Sequence, residues 1–232
     1  MSIEERQREE KEHRRQTIVD AAETVMAESG REAMTMADIA ETARLSRSLL
    51  YVYFEDMDDI VLAVTLRGHS ALRERFEAAA AKHETGLEKI RAIGEAYVQF
   101  AREEPIYFDL LARFEARTAA PETATEHEQA CAAEADRIMD AMTGAIQHGI
   151  DDGSIRPDLN PSHTAITLWG YTHGLIQLAI HKRTDLERQY GLDAETLVAN
   201  GLDFAGVGLT GHAPSTAPAP PPGLFPDEKS ET

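Results

Sequence analysis

The side chains best suited to bind a charged partner are concentrated in one short segment. From Thr42 to Phe54 the chain has two arginines and no carboxylate. Acids prevail elsewhere, since the 232 residues include 41 Asp and Glu against 23 Lys and Arg, for a formal net charge of −18. Guanidinium and hydroxyl groups donate hydrogen bonds to phosphates and base edges. The segment is therefore suited to a local contact with nucleic acid. The net charge excludes a protein that binds nucleic acid through a generally basic surface.

The residues before this segment predict a short helix. Thr35 and Asp38 have the spacing of a capping box, with Asp in place of the usual Glu or Gln. Ile39, Ala40 and Ala43 then fall on one face of the helix. A compact turn of about three residues follows.

A second helix is predicted after the turn. Ser46 can cap its N-terminus, and Leu50 and Phe54 occupy its buried positions. Two short helices joined in this way form a helix-turn-helix, whose second helix enters the DNA major groove. The expected DNA contacts are Thr35, Arg44, Ser46, Arg47, Ser48, Tyr51, Val52 and Tyr53. The alternative is an ordinary helical hairpin in which the lack of acids is accidental.

Helical periodicity extends over nearly the whole chain and predicts an all-α fold. The first helix is expected from about Arg14 to Ser29, where Gly30 ends it. Another is expected from Pro161 to about His181. No segment alternates apolar and polar residues as a half-buried strand does, so no strand is predicted.

Composition divides the chain into four parts. Residues 1–13 are dense in charge and predict a flexible arm, either mobile or a frayed helix. Residues 14–56 contain the helix-turn-helix unit, and residues 57–210 form a larger helical domain. Six of the ten prolines follow residue 210, which predicts a disordered tail over 211–232.

Three runs follow one another between Arg15 and Val64. They are Thr-Ile-Val-Asp-Ala-Ala after Arg15, Leu45-Ser-Arg-Ser-Leu-Leu-Tyr-Val-Tyr-Phe54, and Asp58-Asp-Ile-Val-Leu-Ala-Val64. In order and spacing, these runs resemble the DNA-binding region of the TetR (tetracycline-repressor-like) family of transcriptional regulators. Further on, Leu168-Trp-Gly-Tyr-Thr-His-Gly-Leu175 resembles a Trp…His-Gly signature of one branch of the family. The resemblance implies a three-helix DNA-binding domain and a C-terminal helical bundle for ligand binding and dimerisation.

Three positions depart from the family pattern. Arg44 occupies a turn position where the family often has Gly, and a left-handed backbone is strained there. Met57 replaces a Lys that serves as a phosphate contact in the family, and Leu49 replaces a small hydroxyl residue. Residues 1–55 contain eight bases against twelve acids. Because phosphate contacts supply most non-specific affinity, we expect weak DNA binding unless two subunits bind together.

The resemblance also implies a homodimer that reads a palindromic double-stranded DNA operator, with half-sites about 34–36 Å apart. We expect a repressor that a small apolar or aromatic effector releases from DNA. The candidate ligand contacts, each of which also fits a plain core position, are Tyr97, Phe100, Tyr107, Phe108, Phe114, Met139, Met142, Trp169 and His173. The candidate dimer contacts, which also fit the core of a monomer, are Gly170, Gly174, Leu197, Gly201 and Phe204.

Catalysis, metals and membranes receive no support from the sequence. The nine histidines form no His-Glu-x-x-His motif, and no Gly-x-Ser-x-Gly or phosphate-binding glycine loop occurs. We therefore expect no enzymatic activity, cofactor or metal. The single Cys131 excludes a disulfide framework. No signal peptide or membrane span is recognisable, which predicts a soluble cytoplasmic protein. The alternative function is a helical module that binds small molecules or proteins and has lost productive DNA binding.

Overall fold

The chain folds into α-helices. The computed structural model describes residues 2–115 and 124–211, and within these ranges it has ten α-helices, one short 3₁₀ turn and no β-strand. In chain order the helices are α1 (Ile3–Ser29), α2 (Met36–Ala43), α3 (Arg47–Tyr53), α4 (Met57–Ala80), α5 (Gly86–Glu103), α6 (Pro105–Glu115), α7 (Glu126–Asp152), α8 (Pro161–His181), α9 (Arg183–Tyr190) and α10 (Ala194–Thr210). The all-α fold predicted from periodicity is confirmed. From residue 212 onward, the predicted tail lies outside the described residues.

The N-terminal unit has its own hydrophobic core. Ile18 and Ala22 of α1 are fully buried. Ile39 of α2 and Leu50 of α3 are fully buried in the same core. Ile60 of α4 completes it. The start of α4 therefore belongs to the N-terminal unit as well as to the larger bundle.

Helix α1 begins at Ile3, well before the predicted start at Arg14. Ser2 Oγ accepts a hydrogen bond from Glu5 N at 3.1 Å, and the Glu5 carboxylate accepts one from Ser2 N at 2.6 Å. This capping box starts the helix, and an i,i+4 ion pair between Glu10 and Arg14 at 3.2 Å supports it. Of the two forms predicted for the arm, the structure has the helical one. Residues 4–13 of this helix are exposed to solvent, so this part of the helix needs no apolar face.

Helices α4 to α10 form the larger bundle, which is organised around α4. Helix α4 packs against α1 and also against α5, α6 and α7. The bundle core includes the fully buried Phe76 and Phe100. Helix α8 spans Pro161–His181 as predicted, and Asn160 caps it by accepting a hydrogen bond from His163 N at 3.0 Å. Helices α8 and α10 pack on each other along one side of the bundle.

Helices α5 and α7 approach closely where two glycines meet. A β-carbon added to Gly86, the first residue of α5, would lie 2.0 Å from the backbone nitrogen of Gly149 in α7. The Asp152 carboxylate at the end of α7 accepts a hydrogen bond from Gly86 N at 2.8 Å. Hydrogen bonds from Ser154 and from Gly86 N lower the pKa of Asp152 to about 2. The start of α5 is thus held directly on the end of α7.

We expect Gly86→Ala to destabilise the protein, because a methyl group has no space between α5 and α7. The free energy of unfolding should fall by about 3 kcal/mol, the upper part of the range for overpacked cores. Gly144→Ala on α7 is the matched control, since a β-carbon there would meet nothing within 4 Å. Alanine favours the helix at such a position by about 1 kcal/mol. Urea denaturation at one protein concentration measures both, and equal stability of the two variants would contradict the close approach.

His69 of α4 is buried without a polar partner. It is 2% exposed, and neither ring nitrogen has a hydrogen-bond partner among the described residues. The ring lies edge-on to Phe114, with the ring centroids 5.4 Å apart. Burial lowers the pKa of His69 from 6.5 to about 4, because the charged imidazolium would lose its hydration. The folded protein therefore holds this ring in its neutral form.

The free energy of unfolding should decrease as the pH falls from about 6.5 to about 4. In this window the unfolded chain binds a proton at His69 that the folded chain excludes, so acid favours unfolding. The contribution is fully present above pH 6.5, and about 3 kcal/mol is lost by pH 4. His69→Leu should remove this part of the pH dependence, whereas His83→Ala, at an exposed position, should retain it. Urea denaturation across the pH range checks this, and an unchanged slope in His69→Leu would refute it.

Candidate functional site

The predicted helix-turn-helix is present, with side-chain caps at both helix starts. Thr35 Oγ1 accepts a hydrogen bond from Asp38 N at 3.3 Å, and the Asp38 carboxylate accepts one from Thr35 N at 2.9 Å. Ser46 Oγ accepts one from Leu49 N at 3.2 Å at the start of α3. Both predicted caps are confirmed. Helices of eight and seven residues are thus joined by three residues.

The turn between α2 and α3 places Arg44 in the left-handed region, with φ 56° and ψ 40°. No other non-glycine residue in the described ranges has a positive φ. The Arg44 amide donates to the Glu41 carbonyl at 3.0 Å, and the Leu45 amide donates to the Ala40 carbonyl at 2.9 Å. The left-handed backbone expected to be strained at Arg44 is therefore present, at a cost of about 1 kcal/mol.

The outer face of α3 is open to solvent. Tyr51 is 52% exposed and Val52 is 69% exposed, whereas Leu50 on the opposite face is fully buried. Arg44 and Arg47 are exposed, and neither forms an ion pair within the described part of the chain. The other predicted DNA contacts are the exposed Thr35, Ser46 and Ser48 and the half-buried Tyr53. Guanidinium, hydroxyl and phenol groups are therefore accessible to a partner.

The start of α4 carries carboxylates at the place where the resemblance predicts a phosphate-binding lysine. Asp56 caps the helix by accepting a hydrogen bond from Asp59 N at 2.9 Å. Met57 is half-buried and packs on the core of the N-terminal unit. Asp58 lies 3.7 Å from Arg31 in an ion pair. Negative charge stabilises a helix start but repels phosphate. The start of α4 therefore offers no cationic side chain to a phosphate.

A cavity of about 320 Å³ lies between α4, α5, α7, α8 and α10 of the larger bundle. Three of the predicted ligand contacts line it, namely Tyr97, Met142 and Trp169. Aliphatic side chains of α5 and α10, such as Ile90 and Leu209, supply much of the remaining wall. An apolar concave surface of this size suits a small molecule.

Few polar groups face this cavity. Arg91 and Asp203 form an ion pair, and because both are exposed they lie at its opening. Thr172 is buried in the wall, and its hydroxyl forms no hydrogen bond with the described residues. An occupant of the cavity would therefore find apolar walls and one available hydroxyl group.

An aromatic cluster packs against two residues of the cavity wall, Tyr97 and Trp169. The Tyr97 hydroxyl is 2.7 Å from Nδ1 of His173. The His173 ring stacks on Trp169 and on Phe108, with centroids 5.7 and 5.0 Å away. Burial lowers the pKa of His173. His173 and Phe108 do not line the cavity, and neither do the other predicted contacts Phe100, Tyr107, Phe114 and Met139.

Helix α10 contributes to the cavity in a way that the sequence did not reveal. Leu202, Ala205 and Leu209 of this helix line the wall. Gly201, predicted to contact a second subunit, is instead buried within the chain, because a β-carbon there would lie 2.2 Å from Leu175 of α8. Its missing side chain lets α8 and α10 approach each other. Residue spacing cannot distinguish this glycine from one that faces another subunit.

One face of α8 and α10 is apolar and uncovered. Phe204 of α10 is 71% exposed, and Ile166 of α8 is also exposed. Gly170 and Gly174 of α8 are exposed, and a β-carbon added to either would meet nothing within 4 Å. Leu197 of α10 is half-buried. Exposed apolar side chains and glycines on one pair of packed helices are typical of an interaction site.

Two kinds of site were not found in the part of the chain that is described. No group of three or more His, Cys, Asp or Glu side chains in residues 2–115 and 124–211 could hold a metal ion. None of the helices in these ranges has both the length and the apolar character needed to cross a bilayer.

A helix-turn-helix with an exposed second helix, joined to a helical bundle with a cavity, defines the class of helix-turn-helix transcriptional regulators. The family model for bacterial regulatory proteins of the tetR family matches residues 18–64. The model for the tetracyclin repressor-like C-terminal domain matches residues 90–204. Together they account for well over half of the chain. The chain belongs to the TetR family of transcriptional regulators.

Individual relatives agree with this assignment. The chain is 25% identical over 214 residues to the HTH-type transcriptional regulator TtgR of Pseudomonas putida, covering 86% of this chain and 94% of the relative. It is 25% identical over 182 residues to the HTH-type regulator YfiR of Bacillus subtilis, covering 75% and 83%. The fold is similar to the crystal structure of the transcriptional regulator FadR from Bacillus subtilis in complex with stearoyl-CoA. That comparison has a TM-score of 0.63 at 20% identity, covering 84% of this chain and 98% of that one.

We expect Arg44→Gly to stabilise the protein by about 1 kcal/mol, since glycine adopts the left-handed conformation without steric cost. Arg44→Ala is the matched control, because it removes the same charge but keeps the β-carbon. Urea denaturation should give Arg44→Gly a higher free energy of unfolding than either Arg44→Ala or the wild type. Two equally stable variants would show that the turn is not strained at this residue.

Proposed function

We propose that this chain is a dimeric, cytoplasmic repressor that binds palindromic DNA and releases it when a small apolar or aromatic effector binds in the bundle. The observation that carries the proposal is the outer face of α3. This face is exposed, contains Arg47 and Tyr51, and belongs to the carboxylate-free segment from Thr42 to Phe54. Those are the properties of a recognition helix that enters the major groove. The role is regulatory, as it is in the matched families and relatives.

The distribution of charge supports a contact at α3 and the turn before it. Arg14 and Arg31 of the N-terminal unit are engaged with acids. Arg44 and Arg47 are exposed without ion pairs in the described ranges. Because acids outnumber bases in residues 1–55, one subunit should bind weakly, and affinity should depend on two subunits binding together. Base contacts from α3, rather than general attraction, would then supply most of the selectivity.

The dimer is proposed to form through the apolar face of α8 and α10. Phe204 and Ile166 supply exposed apolar area there. The open surface over Gly170 and Gly174 lets a helix of a second subunit approach closely, and Leu197 adds to the edge of the contact. Two copies related by a two-fold axis would form a four-helix interface. Such a dimer presents two copies of α3 to half-sites about 34–36 Å apart.

The proposed effector binds in the cavity of the larger bundle. The walls around Tyr97, Met142 and Trp169 favour an apolar or aromatic molecule, and the Thr172 hydroxyl offers it one hydrogen bond. The structure of FadR in complex with stearoyl-CoA supports a ligand with a large apolar part, since that protein has a similar fold. His173 and the aromatic residues behind the wall would set the shape of the site.

Helix α4 is proposed to transmit the effect of the ligand. Ile60 near its start is part of the core of the N-terminal unit, and Phe76 near its end lines the cavity. A tilt of α4 would change the distance between the two copies of α3 in the dimer. The effector would weaken DNA binding to the extent that it prefers the tilted conformation.

A second candidate function is a helical module that binds small molecules or proteins and has lost productive DNA binding. The carboxylates Asp56 and Asp58 and the packing of Met57 at the start of α4 favour it, because they remove a phosphate contact. The two candidates differ in one respect, which is whether the purified protein selects a DNA sequence.

Selection from random duplexes with the full chain should yield a palindrome if the chain is a repressor. Arg47→Ala and Tyr51→Ala should each weaken binding to the selected duplex by about tenfold or more, since each removes a contact worth about 1–3 kcal/mol. Wild-type affinity should also fall steeply as salt is raised. Fluorescence anisotropy with the labelled duplex measures these effects.

Arg183→Ala and Tyr190→Ala are the matched controls, because they remove the same side-chain types from exposed positions on α9. Both should bind the duplex like the wild type. Recovery of unrelated fragments would favour the module without DNA binding. Normal binding by Arg47→Ala and Tyr51→Ala would show that α3 is not the recognition helix.

A further inference from the structure

The start of α7 is connected to the end of the recognition helix by a cluster of hydrogen bonds. The Arg15 guanidinium of α1 donates to the carbonyl oxygen of Tyr53, the last residue of α3, at 3.0 Å. Its other terminal nitrogen lies 2.8 Å from Nε2 of His127, the second residue of α7. Nδ1 of His127 lies 2.5 Å from a carboxylate oxygen of Asp59 in α4. Side chains from α1, α4 and α7 thus meet at the end of α3.

The partners of His127 determine which of its nitrogens carries hydrogen. A guanidinium only donates, so Nε2 facing Arg15 must accept. A carboxylate only accepts, so Nδ1 facing Asp59 must donate. The arrangement therefore requires the hydrogen on Nδ1 and leaves the lone pair of Nε2 to accept. A second proton on Nε2 would place two donors against each other and break the contact with Arg15.

Phe54, the residue that follows α3, is held by the same side chains. The Arg15 guanidinium carbon lies 4.8 Å from the centre of the Phe54 ring, within cation–π distance. The His127 ring stacks on Phe54 with centroids 5.9 Å apart and planes 16° apart. Arg15 and His127 therefore restrain both the last carbonyl of α3 and the buried side chain beside it.

Other contacts between the bundle and the N-terminal unit reach a different place. The Tyr107 hydroxyl of α6 donates to Glu23 at 2.6 Å, and Arg67 of α4 pairs with Glu23 at 2.9 Å and Asp20 at 2.7 Å. These contacts hold the middle of α1. Within the described ranges, Arg15 is the only residue outside the 46–54 segment that donates a side-chain hydrogen bond to it. The cluster at His127 is thus a separate connection to α3.

We infer that Arg15, Asp59 and His127 form a latch through which α7 orients the recognition helix. His127 is a positioning residue, since it acts on α3 through Arg15 and Phe54. Met142, fifteen residues further along α7, lines the cavity, about 22 Å from the latch along one helix. A displacement of α7 at the cavity therefore moves the latch. The consequence for DNA rests on the proposed function, whereas the effect of the latch on α3 does not.

The wild-type protein tests the hydrogen positions directly. Nitrogen–proton correlation spectra of the ¹⁵N-histidine-labelled full chain at neutral pH should show His127 neutral with its hydrogen on Nδ1. His127→Gln identifies the signal by its disappearance. A charged ring, or a neutral ring with its hydrogen on Nε2, would overturn the latch.

Loss of the latch should loosen α3 selectively. In His127→Ala, backbone amides of α3 should exchange with solvent about tenfold faster than in the wild type, with other helices unchanged. His148→Ala is the matched control on the same helix, since His148 Nε2 lies 2.9 Å from the Glu84 carbonyl oxygen, far from α3. His127→Gln should restore slow exchange, because an amide side chain both donates and accepts. A general loss of stability would speed exchange in every helix.

The same variants separate the latch from the proposed DNA binding. With the selected duplex as probe, His127→Ala should bind about tenfold more weakly, and His127→Gln and His148→Ala should bind like the wild type. Equal exchange of α3 in His127→Ala and His148→Ala overturns the latch, whatever happens with DNA. Faster exchange of α3 in His127→Ala, in a protein that selects no DNA sequence, supports the latch and overturns the repressor. If His127→Ala does not fold, the position of the ring hydrogen of His127 in the wild type still tests the latch.

Discussion

The exposed face of α3 depends on the burial of its opposite face. An isolated helix of seven residues is not stable in water, so α3 holds its shape only through its contacts. Leu50 and the adjacent Phe54 are buried in the core shared by α1, α2 and α4, and each contributes about 2 kcal/mol. Because the Leu50 side of α3 is buried and Ser46 caps its start, the side chains of Arg47 and Tyr51 are directed outward. The recognition surface is therefore a consequence of how the N-terminal core is packed.

Two long helices connect this small core to the larger bundle. Helix α4 begins in the N-terminal core at Ile60 and reaches the cavity at Phe76. Helix α7 lines the cavity at Met142 and contacts the end of α3 through His127. Helix α7 is also packed closely on α5, where a methyl group on Gly86 would have no space. A change that the proposed ligand caused at the cavity would thus reach the N-terminal unit through α4 and α7.

The acidic character of the chain restricts the proposed DNA contact. A net charge of −18 opposes indiscriminate binding to a polyanion. Carboxylates at the start of α4 stabilise that helix and would also repel phosphate. In the proposed complex, Arg44 and Arg47 would supply attraction next to the exposed side chains of α3. Such a contact would have low overall affinity and would favour discrimination between sequences when two subunits bind together.

The sequence by itself determined the local features. These features depend on interactions between residues three or four positions apart, which can be recognised in the sequence. They are the caps at Thr35 and Ser46, the left-handed turn at Arg44 and the bounds of α8. The capping box at Ser2 is equally local, but the density of charge after it concealed the helix start. Only the tertiary structure decided three other features. They are the cavity wall formed by α10, the burial of Gly201, and the contact of Arg15 with His127. Arg15 and His127 are 112 residues apart, and their meeting depends on how four helices cross, which side-chain packing over the whole core determines.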